Sequence, residues 1–149
     1  LNVLQDPQYL PLVVFPKAYA QPERVVYNNE LPTDALSDKK PLFILLDGSW
    51  REAKKMFRKS PYLNKFSIAS FEEDSADQSR EYYIRESVVE NQLATAQVAS
   101  RMLSLYGESE NASRLSMWFD VFNYQYQKSV CQINQGREDA MANFLKAQN

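Results

Sequence analysis

The sequence predicts an α/β fold, a sheet covered by helices. The apolar runs of the first half are short and are bounded by proline or polar turn residues, as strands are. The second half repeats apolar residues at helical spacing instead. One run, residues 42–46 (LFILL), is apolar at successive positions, the pattern of a strand buried on both faces of a parallel sheet. Strands followed by helices around such a strand argue for helices packed on a sheet. At 149 residues the chain suits one domain, residues 1–149, with one substantial core.

Each element has its own signal. Residues 9–15 (YLPLVVF) form an apolar run stopped by Pro16, and residues 25–27 give a short strand. After residues 42–46, residues 66–71 alternate apolar and small side chains, and residues 81–85 fit a further strand. A helix over 50–59 places Trp50, Ala53, Met56 and Phe57 on one face, with Lys54, Lys55, Arg58 and Lys59 mostly elsewhere. Pro61 ends it. A second helix, 88–106, repeats Leu93, Ala96, Ala99, Leu103 and Tyr106 and stops at Gly107, a C′ residue. A third, 112–130, carries an apolar stripe of Leu115, Trp118, Phe119, Phe122, Tyr126 and Val130, and a short helix over 137–147 closes the sequence. Loops are expected at 28–40 and 72–79, where polar and turn-forming residues cluster.

Composition excludes several classes of function. Hydrophobic content of 44% and charged content of 24% are those of a soluble globular protein. No run approaches the ~20 consecutive apolar residues of a membrane span. The first residues lack the basic start and apolar centre of a signal peptide, and they open on Leu rather than Met, as a piece of a longer chain would. The single cysteine, Cys131, permits no intrachain disulfide and fits a reducing cytoplasm, the expected location. There is no histidine, which excludes a Ser-His-Asp or Cys-His triad within the chain and argues against a zinc site. Net charge is -2, not the footprint of a nucleic-acid binder taken whole. Yet residues 51–65 hold six Lys or Arg and one Glu, so a local basic face can exist within an acidic average.

Four stretches can carry chemistry. Residues 47–50 read DGSW. Ser49 and Glu52 make an S-x-x-E capping box, which would satisfy two orphan amides at a helix start. Asp47 precedes that positive helix end, where a carboxylate is stabilised. Ligands of open α/β sheets bind beyond the carboxyl ends of strands, where Asp47 stands, and Gly48 permits close approach. The plainer reading is a cap at Ser49 and a first core residue at Trp50. The basic helix is either a solvated face or a phosphate-contacting one, with Tyr62 and Phe66 as stacking or core residues. SREYYIRES (79–87) alternates Arg80, Tyr82, Tyr83 and Arg85, an ordinary strand or one whose Arg85 forks onto a carboxylate or phosphate. NQLATAQVA (91–99) sets Thr95 and Gln97 near a helix start, surface or site.

Taken in order, these stretches resemble the DTW-domain family, named for an Asp-x-x-Trp core usually written DGTW. DGSW (47–50) keeps the hydroxyl through a Ser for Thr exchange. REAKKMFRKSPYL (51–63), SREYYIRE (79–86) and LATAQVA (93–99) are similar to the family's later elements, and VVFP (13–16) to its "LLFP" strand end. The resemblance covers roughly residues 9–130. It departs at Gln97, where the family has an acid, and the family's N-terminal cysteine region and His-Pro element have no counterpart here. The chain therefore reads as a C-terminal catalytic part.

The resemblance implies a tRNA-uridine aminocarboxypropyltransferase. Such an enzyme moves the 3-amino-3-carboxypropyl group of S-adenosylmethionine to N3 of a tRNA uridine and releases 5′-methylthioadenosine. It implies a SPOUT-like sheet with a C-terminal trefoil knot around the donor; no metal is expected in this chain, which has no histidine and no counterpart of the family's cysteine region. Asp47 would be the general base or hold the donor ammonium, Ser49 would bind the donor carboxylate, and Trp50 would wall the pocket. Phe15, Pro16, Gly48, Arg85 and Thr95 would line the donor site. Lys54, Lys55, Arg58, Lys59 and Arg80 would contact the tRNA. A methyltransferase of the same fold and a non-catalytic RNA-binding module are the alternatives.

Overall fold

A computed structural model of the chain describes residues 2–28, 30–32, 34, 36–71, 95–130 and 136–148. The chain divides into two compact units, Leu1–Glu73 and Asp74–Asn149.

The first unit is built on a four-stranded parallel sheet. Its strands are β1 (Tyr9–Val14), β2 (Val26–Asn28), β3 (Lys40–Ile44) and β4 (Ser67–Ser70), in the order β2-β4-β1-β3. β1 and β4 are central, and alternate residues bury both faces: Val13 and Ile68 on one, Leu12 and Ala69 on the other. Pro11 is tolerated in β1 because pairing with β4 starts only at Leu12↔Ser67, after the proline's missing donor. Among the described residues, one helix, α1 (Trp50–Lys59), covers the Val13 face. Its Ala53 and Phe57 are buried with Phe15, Leu63 and Phe66, and Trp50, Met56, Ile44 and Leu46 pack against them. The helical face read from sequence is thus the buried one.

The run at 42–46 behaves differently from its pattern. The strand is Lys40–Ile44, and its ladder with β1 runs from Tyr9↔Lys40 to Val13↔Ile44. Lys40 N–H donates to Gln8 O at 2.9 Å, so pairing starts before the apolar run does. β3 has one partner strand among the described residues and is half-buried rather than enclosed. Leu45 and Leu46 lie past the ladder, and Leu46 packs on the core as the chain turns into α1. The other strands fall within a residue or two of expectation; 81–85 lies outside the described residues.

The second unit is helical in its described part: α2 (Thr95–Leu105), α3 (Ser109–Ser129) and α4 (Ala140–Lys146). Gly107 closes α2 at φ +89°, as its C′ position requires. Its N–H donates to Ser104 O and that of Glu108 to Leu103 O, the paired bonds of a Schellman motif. α3 begins three residues earlier than read. Its buried side is not the aromatic stripe. Ala112, Val121, Asn123 and Gln127 are buried, whereas Trp118 and Phe122 are 51% and 52% exposed. Ala112 lets α2 approach, and Ser100 Oγ donates to Ala112 O at 2.8 Å across the pair. Gln127 is buried because its Oε1 accepts the Gly136 N–H at 3.2 Å. Of the stripe, Trp118 meets the Phe144 ring of α4, 5.0 Å between centroids.

Candidate functional site at the carboxyl end of the sheet

Because every pairing is parallel, all four strands of the first unit deliver their carboxyl ends to one edge. That edge is where ligands bind in open α/β sheets. Lys17 N–H donates to Ser70 Oγ at 3.0 Å, tying the chain beyond β1 to the end of β4. Asn28, the last residue of β2, has a buried Oδ1 that accepts no hydrogen bond among the described residues.

Beyond β3, the chain reaches Asp47, Gly48, Ser49 and Trp50. Asp47 and Gly48 are exposed, and Ser49 and Trp50 are half-buried. The capping box is formed. Ser49 N–H donates to Glu52 Oε2 at 2.8 Å, the Ser49 hydroxyl donates to the same oxygen at 2.6 Å, and Glu52 N–H reaches Ser49 Oγ at 3.4 Å. The hydroxyl proton is therefore directed at Glu52. Gly48 has φ +151°, a conformation L side chains rarely adopt. A Cβ there would stand 3.2 Å from Glu52 Cβ, so the glycine makes room for the capping box.

Behind these residues lies a stack of rings. Phe15 is buried, and its ring lies 4.2 Å from Phe57 and 5.4 Å from Trp50, near parallel to both. Phe15 therefore acts at this edge by setting Trp50, while Pro16 is exposed and opens the 3-10 turn Lys17–Tyr19. Tyr19 stands edge-on to Phe15 at 5.7 Å and to Trp50 at 5.4 Å. Lys54 bends back so that its Nζ lies 5.3 Å from the Trp50 ring centroid and 5.8 Å from that of Tyr19. Lys55, Arg58 and Lys59 are exposed on the same helix.

The basic helix thus splits into one lysine at the rings and four exposed cations, Arg51 being the fourth. Tyr62 is exposed and Phe66 is core. Thr95 and Gln97 open α2 in the second unit. Arg80 and Arg85 lie outside the described residues.

Sequence reading missed Tyr19 and Arg24. Arg24 donates through Nε to Phe66 O at 2.8 Å and through Nη2 to Leu63 O at 2.7 Å, with its guanidinium 5.2 Å from the Phe57 centroid. Burial lowers its pKa from the ordinary arginine value, and its two carbonyl bonds and its contact with the Phe57 ring staple the turn before β4 to α1. Neither residue belongs to a periodic run, which is the signal pattern reading depends on.

A parallel sheet, a helix covering one face and a carboxylate, glycine and indole at the strand ends define an α/β domain whose candidate ligand face is that edge. The chain belongs to the DTW domain family, whose model matches residues 1–127. No solved structure matches the chain. Membership is consistent with a tRNA-modifying transferase.

Proposed function

We propose that the chain is the catalytic part of a tRNA-uridine aminocarboxypropyltransferase, using S-adenosylmethionine as donor. The observation that carries the reading is the placement of Asp47, Gly48, Ser49 and Trp50. They stand at the carboxyl end of a parallel strand, on the N-terminus of a basic helix, in a DTW-family chain. The SPOUT-like fold with its C-terminal knot belongs to the same reading.

The donor's groups fit this edge. The exposed Asp47 carboxylate suits the donor's α-ammonium or the uridine N3 proton, and one carboxylate serves only one of the two. In the transfer, uridine N3 bonds to the donor γ-carbon while the carbon–sulfur bond breaks. The electron pair goes to sulfur, giving neutral methylthioadenosine, and the N3 proton leaves to a base, for which Asp47 is the candidate. The sulfonium already activates the carbon, so the protein's task is chiefly alignment, in which proximity supplies up to ~7–11 kcal/mol. Lys55, Arg58 and Lys59 hold the RNA backbone, as phosphate contacts position a substrate without reading it.

Calorimetric titration of S-adenosylmethionine, followed by product analysis with tRNA, tests the reading. Expected are binding by the parent, its loss in Asp47→Ala, and release of methylthioadenosine. Release of adenosylhomocysteine would make the chain a methyltransferase. RNA binding without donor binding would make it a non-catalytic module.

A further inference from the structure

Resting on the reading of this edge as an RNA-modifying site, we infer that Tyr19, braced by Trp50 at 79° to it and with the Lys54 ammonium beside both rings, is a stacking platform for an unpaired base of the RNA. Tyr19 is 45% exposed although its neighbour in the turn, Ala20, packs on the core. The fold does not use that ring as filling. Edge contacts with Phe15 and Trp50 nevertheless hold it in one orientation, so little side-chain freedom remains to be lost on binding. Trp50 is fixed in turn by its stack on Phe15.

Charge decides the occupant. α1 carries Arg51, Lys54, Lys55, Arg58 and Lys59 against one acid, Glu52, whose carboxylate is folded back onto Ser49. An exposed ring, Tyr19, beside a track of cations supplies the two parts of a single-strand binding surface: bases stack and phosphates run along the charges. A duplex keeps its bases stacked on each other and offers no free face to such a ring, so the platform selects a loop or splayed nucleotide. Lys54 sits where its ammonium can leave the rings for a base carbonyl or phosphate oxygen.

The chain has two tryptophans, Trp50 and Trp118, so Trp118→Phe leaves Trp50 as the sole indole reporter at the platform. In that background, Trp50 fluorescence is titrated with an oligouridylate and with its abasic counterpart. The same titration is run on Tyr19→Phe, which keeps the ring, and on Tyr19→Leu, which keeps apolar bulk. Expected are quenching by the oligouridylate, near-parent affinity for Tyr19→Phe, and affinity about five- to a hundredfold weaker for Tyr19→Leu, the range of one lost base stack. The abasic strand should bind weakly and alike to all three. Equal oligouridylate affinity of Tyr19→Leu and parent, equal binding of both strands, or no binding by a folded parent would each overturn the platform. Methylthioadenosine release by the parent on tRNA, measured alongside, judges the transfer reaction separately.

Discussion

Gly48 holds φ +151° between a carboxylate and a helix cap, and its missing Cβ is what lets Glu52 reach back to Ser49. Gly48→Ala should cost about 1–3 kcal/mol, the range for a side chain forced into a sparsely populated backbone region. It should also loosen the capping box, since the new methyl would meet Glu52. Chemical denaturation checks the first effect, and amide exchange at Ser49 and Glu52 checks the second. An unchanged midpoint would mean that the backbone here relaxes without penalty. The capping box was legible because S-x-x-E is a local pattern, complete within four residues. The φ of Gly48 was legible only as permission, since sequence showed a glycine but not which neighbour it admits. Tyr19 was not legible, because its setting depends on Phe15 and Trp50, which the sheet and α1 bring together from distant parts of the chain.

α1 was read to the residue, because its cap, its apolar face and Pro61 all agree. β3 and α3 show why such agreement matters. For β3, the apolar run predicts the strand at 42–46, but hydrogen-bonding to β1 sets it two residues earlier, and of the two leucines left past the ladder Leu46 packs on the core. In α3, periodicity found a face without revealing that the face is exposed. The helix buries its smaller and more polar side, where Ala112 allows close packing with α2. That choice leaves Asn123 buried with an Oδ1 that accepts no hydrogen bond among the described residues. An unsatisfied buried acceptor costs about 1–3 kcal/mol, and a leucine is close to asparagine in shape. Asn123→Leu should therefore raise the melting temperature by about 2–4 °C, the shift expected for about 1 kcal/mol in a chain of this size. Calorimetry decides it, and a fall in melting temperature would mean that the polar atom is stabilised in the native state.

Charge is distributed unevenly over the molecule. Leu1–Glu73 holds ten basic and nine acidic residues, and Asp74–Asn149 holds seven and ten. RNA attraction must therefore come from a local face rather than from the field of the whole chain. The best local face is α1, where Lys55, Arg58 and Lys59 are exposed. If they neutralise phosphates, affinity for single-stranded RNA must fall with salt by about 0.7 in log–log slope per contact. The double variant Lys55→Ala/Arg58→Ala should then flatten that slope by about 1.4. Arg114 is the control, being paired with Glu110 at 2.7 Å within the acidic unit. Arg114→Ala should leave the slope as it was. Binding titrations across a salt series make the comparison. An unchanged slope in the double variant, or an equal change in the control, would remove α1 from the RNA interface and leave recognition to the aromatic edge alone.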